Sequence, residues 1–169
     1  MPPVPLIDPL KVNFSHVVAD QAAIRHRNRQ RFEMEQITAI VLVDPDNHLI
    51  VGYKDVTDNE FWCRGHMPDY PIMPGVMICE VAAQMASYYS HNLAGPGKFI
   101  GFGGMEEVRF RGQVRPGDRL IMVAKATRLH PRQTIFEAQG FVGDQMVFHG
   151  RIIGLSLPQI TPVEASESN

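Results

Sequence analysis

Glu80 and Gln84 stand four residues apart within 76–86, a run whose other members are all apolar. At that spacing the two side chains share one face of a helix, a turn apart. Apolar surroundings push a carboxyl group toward its neutral form, and a neutral carboxylic acid near pH 7 can donate a proton. An edge position, paired with one of the chain's arginines, is the other reading of Glu80. His66 lies in Gly65-His66-Met67-Pro68, where prolines stiffen the chain around an imidazole that titrates near neutrality. Taken alone it reads equally as a surface histidine, one of seven in the chain. Gly75 heads the apolar run, where free N–H groups and the positive end of a helix dipole favour a polarised carbonyl oxygen. A tight turn after Pro74 accounts for the same glycine. Together the three supply a base, an acid and an oxyanion donor within 15 residues, the parts needed for acid–base chemistry beside a carbonyl.

These groups need elements to position them. Prolines at 68, 71 and 74 with glycines at 65 and 75 exclude regular structure from Phe61 to Gly75, so that segment is expected to be a stiff loop feeding a helix. The helix is expected from Pro74 or Gly75 to Ser90, before the stop signals of His91 to Gly97. Upstream, Ile37 to Val43 and His48 to Val56 flank the turn residues Asp44-Pro45-Asp46-Asn47 and read as a hairpin. Downstream, Phe99 to Phe102 and Glu107 to Val114 read as strand pieces, followed by a turn at Arg115-Pro116-Gly117-Asp118. Arg119 to Leu129, Thr134 to Val142 and Gln145 to Leu157 read as three long strands whose short connections make them antiparallel neighbours. A short helix is expected near Val17 to Arg25. The fold class is therefore α+β, with an antiparallel sheet covering one apolar helix. Residues 1–30 read as an N-terminal extension, 31–157 as one domain, and 158–169 as a disordered tail rich in Pro, Ser, Thr and Glu. The helix has no polar face, and one sheet buries only one side of it, so a dimer is expected.

Composition narrows the function classes. Sixteen Lys and Arg against eighteen Asp and Glu give a net charge of −2, which supplies no general attraction to nucleic acid or anionic lipid. Cys63 and Cys79 are too few for a stapled secreted scaffold, and no apolar leader follows the start, so a reducing cytoplasm is expected. No membrane span is expected, because the longest apolar run carries Glu80 and Gln84. No metal is expected either: His66 and Glu80 lack a third ligand at a suitable interval, and neither cysteine has a close partner.

The segment from Phe61 to Gln84 closely resembles the signature of the 3-hydroxyacyl-acyl carrier protein dehydratases of the FabZ type. The family pattern is Gly-His-Phe-Pro, then Pro-Val-Met-Pro-Gly-Val, then Glu and an Ala-Gln pair. Here it appears as Gly65-His66-Met67-Pro68, Pro71-Ile72-Met73-Pro74-Gly75-Val76, Glu80 and Ala83-Gln84. Weaker resemblance runs through Ile50 to Thr57, Val108 to Arg111 and Val114 to Asp118. Two departures stand out: Met67 replaces the usual Phe, and 29–39 keeps little of the family's N-terminal Pro-His-Arg-Tyr-Pro-Phe stretch beyond Arg31 and Phe32.

The resemblance implies a hot-dog fold, a helix wrapped by a curved antiparallel sheet. It implies dehydration of a (3R)-hydroxyacyl thioester to the trans-2-enoyl product in fatty-acid biosynthesis, with His66 as base, Glu80 as acid and no cofactor. It implies that the two residues come from different subunits of a homodimer, which in the family assembles further into a trimer of dimers. On the same basis Gly75 donates its N–H to the thioester carbonyl and Gln84 orients Glu80. Met73, Met77, Phe99, Phe102 and Met105 are apolar residues that could line an acyl tunnel, or belong to the core. Acyl carrier protein is acidic, so Arg109, Arg111, Arg115 and Arg119 are docking candidates, with Arg25 to Arg31 as a second cluster. The same arginines suit coenzyme A. The rival readings are a hot-dog acyl thioesterase and a noncatalytic acyl-binding homologue.

Overall fold

A computed structural model describes residues 1–159. Six strands form one antiparallel sheet: β1 (Ala39–Asp44), β2 (Leu49–Asp55), β3 (Lys98–Phe110), β4 (Arg119–His130), β5 (Gln133–Val142) and β6 (Gln145–Pro158), in the order β1-β2-β4-β5-β6-β3. Two helices accompany them, the short α1 (Gln21–Arg25) and the long α2 (Gly75–Ser90). The hairpin, the three long strands and α2 lie within a residue or two of the sequence expectation. β3 instead crosses the whole sheet to pair with β6, so it forms the far edge.

The two strand pieces expected between Phe99 and Val114 are a single thirteen-residue strand. Register shifts between Phe102 and Gly104 and between Glu106 and Arg109 interrupt its ladder, and Glu107 sits at φ +54°. Such bulges spoil the period-2 pattern while the strand continues. β3 ends at Phe110 rather than Val114, because the Val114 carbonyl is drawn away to accept from the Met73 N–H at 2.8 Å.

One face of α2 packs on the sheet. Val81, Ala82 and Met85 are fully enclosed against Ile50, Leu120, Met122, Phe136 and Phe148. At about 25 cal/mol per Å2 of apolar surface, each of these side chains contributes on the order of 1–3 kcal/mol. Contrary to the expectation that the opposite side waits for a second subunit, much of it is covered by this chain's own residues 28–36. The Asn28 amide donates to the Gln84 carbonyl at 3.0 Å, and the Gln36 N–H donates to Gln84 Oε1 at 3.0 Å. Val76, 66% exposed, remains open.

The first forty residues therefore pack on both faces. Leu6, Ile7, Val12 and Phe14 cover a second apolar cluster on the outer side of the sheet around Val51, Val123 and Phe141. Gln139 fastens them, accepting from the Leu6 N–H at 2.8 Å and donating to the Val4 carbonyl at 3.0 Å. The helix expected over Val17 to Arg25 starts only at Gln21. Val18 and Ala19 hydrogen-bond instead to Ile40, and Asp20 caps the helix by accepting from the Ala23 N–H at 2.8 Å. The tail expected over 158–169 lies outside the described residues beyond Gln159.

Candidate active site

The loop that carries His66 is fixed from below. Trp62 is buried, and its carbonyl accepts from the His66 N–H at 2.8 Å. Lys54 and Glu60 form a buried ion pair at 2.9 Å at the loop's entry. Beyond the histidine, the Ile72 N–H donates to the His66 carbonyl at 3.0 Å. The imidazole is exposed, with Nδ1 at 2.8 Å from the Ile72 carbonyl oxygen. A carbonyl only accepts, so Nδ1 carries a proton and Nε2 of the neutral ring has a free lone pair.

Glu80 projects from the middle of α2 into a cavity of about 430 Å3. Its Oε1 accepts from Gln84 Nε2 at 2.7 Å and from Gln30 Nε2 at 3.4 Å. Gln84 is 1% exposed and also donates to the Met34 carbonyl at 2.6 Å, so its rotamer is locked from three sides. Gln30 and the buried Asn28 and Gln36 had no place in the sequence reading of the site.

Gly75 opens α2, and the Phe110 ring lies against it. A side-chain carbon added at Gly75 would meet Phe110 Cζ at 2.7 Å, so any larger residue here must displace that half-exposed ring. The Met77 and Ile78 N–H groups donate to the Pro74 carbonyl, at 2.8 and 3.3 Å.

The cavity runs between α2, β3, β6 and residues 25–31. Phe99 and Phe102 line it, as expected of tunnel residues. Met73 and Met77 do not: both are packed into the main core, while Met105 is exposed on β3 away from the cavity wall. His66 is not among the residues that line the cavity Glu80 lines.

The arginines divide by their partners. Arg119 makes a paired contact with Asp55, at 2.6 and 2.9 Å, and lies over the Tyr53 ring, so its charge is spent within the fold. Arg115 covers the Tyr70 ring, and Arg111 donates to His149 Nδ1 at 3.1 Å. Arg109 reaches only the neighbouring Val108 carbonyl, at 2.8 Å. In the N-terminal cluster Arg25 is paired with Glu35, and Arg31 donates to the carbonyls of Arg25, Asn28 and Gln30. Arg27 and Arg29 stack on Tyr88 and Phe99, at 4.5 and 4.8 Å, and bring their charge to the cavity mouth.

One long helix packed on an antiparallel sheet, with a loop histidine before it and a carboxylate in mid-helix, defines the class: a hot-dog-fold protein. The model of the FabA-like domain matches residues 28–151, and the chain belongs to that family. A relative in Streptococcus gordonii, the 3-hydroxyacyl-acyl-carrier-protein dehydratase FabZ, is 36% identical over 134 residues, covering 79% of this chain and 94% of the relative. The enzyme of the same name in Clostridioides difficile is 38% identical over 104 residues, 61% of this chain and 73% of the relative. Among solved structures, the dehydratase heterocomplex ApeI:P from Xenorhabdus doucetiae superposes with a TM-score of 0.67 at 13% identity, over 80% of this chain and 91% of that one. A mutant of thioesterase PA1618 from Pseudomonas aeruginosa gives 0.63 at 14% identity, over 84% of this chain and 96% of that one. At such identities the likeness is one of fold, and that fold hosts both kinds of enzyme. Among the described residues no helix is long and apolar enough to cross a membrane.

Proposed function

We propose that this protein dehydrates (3R)-3-hydroxyacyl thioesters on acyl carrier protein to the trans-2-enoyl product in fatty-acid biosynthesis. Kinship with FabZ enzymes over most of the chain supports the reaction, and the His66–Ile72 hydrogen bond supports the mechanism. With its proton held on Nδ1, His66 presents Nε2 as the base that removes the C2 proton. Glu80 in its acid form gives a proton to the departing C3 hydroxyl, which leaves as water. Gln84 donates to Oε1, which leaves Oε2 to carry the acidic proton. The Gly75 N–H at the positive end of α2 polarises the thioester carbonyl as charge develops there. Each proton-transfer group is worth roughly 10²- to 10⁴-fold in rate.

The absence of His66 from the cavity that Glu80 lines supports a homodimer as the active unit, each copy supplying one of the two groups to a shared site. β3 is the strand to join the two. It is a thirteen-residue sheet edge with Phe102, Met105 and Phe110 exposed, a surface that invites strand addition. A trimer of such dimers is the proposed full assembly. Arg109, next to the Phe110 ring that lies against Gly75, is proposed to meet the acidic carrier. The test follows the conjugated enoyl thioester by absorbance, using a short 3-hydroxyacyl carrier protein substrate. Wild-type turnover lost in folded, dimeric His66→Ala and Glu80→Gln supports the reading. Release of free thiol without enoyl signal overturns it in favour of a thioesterase.

A further inference from the structure

A plain alkyl chain needs an apolar sleeve, yet the cavity that Glu80 lines carries polar side chains beyond those around the carboxyl group. Glu80, Ala83, Ser87 and His91 form one face of α2 and its C-terminal extension. At 1.5 Å per residue, Ser87 lies about 10 Å and His91 about 16 Å beyond the carboxyl group along the helix axis. Near that far end the wall gains Lys98 on β3 and Thr134 on β5.

Thr134 is the unusual member. It is 1% exposed, and its hydroxyl has no hydrogen-bond partner among the described residues. A buried hydroxyl without a partner is costly, and native structures rarely leave one so. Phe102, Gly154 and Thr134 stand opposite one another on β3, β6 and β5 and all line the cavity. A side-chain carbon on Gly154 would meet Thr134 Oγ1 at 2.5 Å and Ile100 Cγ2 at 2.5 Å. Gly154 therefore lies tight against that oxygen, where no side chain fits.

We infer that the cavity selects acyl chains bearing an oxygen substituent far from the thioester, with the Thr134 hydroxyl as its hydrogen-bond partner and Ser87 as a second hydroxyl on the cavity wall. This rests on the dehydratase reading of Glu80, which places the thioester end at one end of the cavity. Ala83, Ala86, Phe99 and Ile152 hold the methylenes in between. Thr134 acts here as a specificity residue, and its removal leaves the reacting atoms untouched.

The test uses N-acetylcysteamine thioesters, which lack phosphate, so that any preference belongs to the acyl chain. The substrates are 3-hydroxydecanoyl and its ω-hydroxy and ω-carboxy analogues, with wild type, Thr134→Val and Ser87→Ala. The wild type is expected to favour an ω-oxygenated chain. Thr134→Val is expected to lose about tenfold in kcat/KM on that chain, the worth of one hydrogen bond, and nothing on the plain one. Its Tm should hold or rise, since a buried orphan is removed. A wild type that prefers the plain chain, or an unchanged ratio in a folded Thr134→Val, overturns the inference. Thermal shift with decanoate against ω-hydroxydecanoate reads the cavity without chemistry. A selective shift abolished by Thr134→Val, in a protein that turns over no thioester, supports the cavity and sinks the dehydratase reading; turnover with no selectivity does the reverse.

Discussion

Gln84 Nε2 lies 2.7 Å from Glu80 Oε1, and the Gln84 carboxamide is itself held by the Gln36 N–H and the Met34 carbonyl. The carboxyl group proposed as the acid is thus fixed through an amide that belongs equally to the N-terminal arm. Gln84→Leu should strip a partner from the buried Gln36 N–H and from the partly buried Met34 carbonyl, costing about 2 kcal/mol of stability. It should also lower kcat more than it raises KM, because Glu80 loses its orientation. Urea unfolding and steady-state kinetics on the same samples check both; a stability loss with unchanged kcat would separate Gln84 from the chemistry.

Lys54 and Glu60 are buried together at the entry to the His66 loop. Lys54→Met leaves an uncompensated buried carboxylate and should cost about 3–5 kcal/mol, whereas Lys54→Met with Glu60→Gln should recover most of it. A double-mutant cycle by urea denaturation measures the coupling. Equal losses in the single and double variants would show that the pair itself contributes little.

Burial, reinforced by the positive charges of Arg111 and Arg109, holds the His149 imidazole below its ordinary value. The contact from Arg111 Nε to His149 Nδ1, at 3.1 Å, needs that nitrogen unprotonated. As pH falls through about 6.5 the unfolded chain takes up a proton that the folded chain resists, so stability present above that pH is lost below it. His149→Gln should flatten the fall in urea midpoint between about pH 7.5 and pH 5.5. An unaltered slope would assign the acid sensitivity to other groups.

Cys79 is enclosed in α2, and burial pushes its thiol above the usual range; desolvation does the same for Cys63, which is only half-buried. Neither should react quickly with iodoacetamide at neutral pH in the native protein, and both should react after unfolding. Rapid native labelling followed by mass mapping would contradict this environment.

The sequence was most legible where one face alternates between short turns. Thr134 to Val142 and Gln145 to Leu157 read as strands because Gly143-Asp144 punctuates them, and the ladder pairs Val142 with Gln145 as a two-residue turn requires. β3 was not, since its bulges break the alternation and its partner β6 lies about fifty residues away. The Glu80–Gln84 pair was visible as an i, i+4 spacing on an apolar helix. The partners that fix it, Asn28, Met34 and Gln36, lie 48 to 56 residues upstream of Gln84, and no local pattern marks them. Met73 and Met77 were suitable in type for a tunnel, yet whether an apolar side chain faces a cavity or a core depends on packing that periodicity does not encode. The charge of Arg119 was equally plain in the sequence; its long-range pairing with Asp55 was not.

The most direct measurement is complementation between His66→Ala and Glu80→Gln. Each variant alone should form a folded, inactive dimer. Co-expressed, half of the dimers should be mixed, and each mixed dimer should hold one site with both groups intact, restoring about a quarter of wild-type enoyl formation. If mixed dimers form and no activity returns, His66 and Glu80 do not act together across the interface, and the account of the active site is wrong.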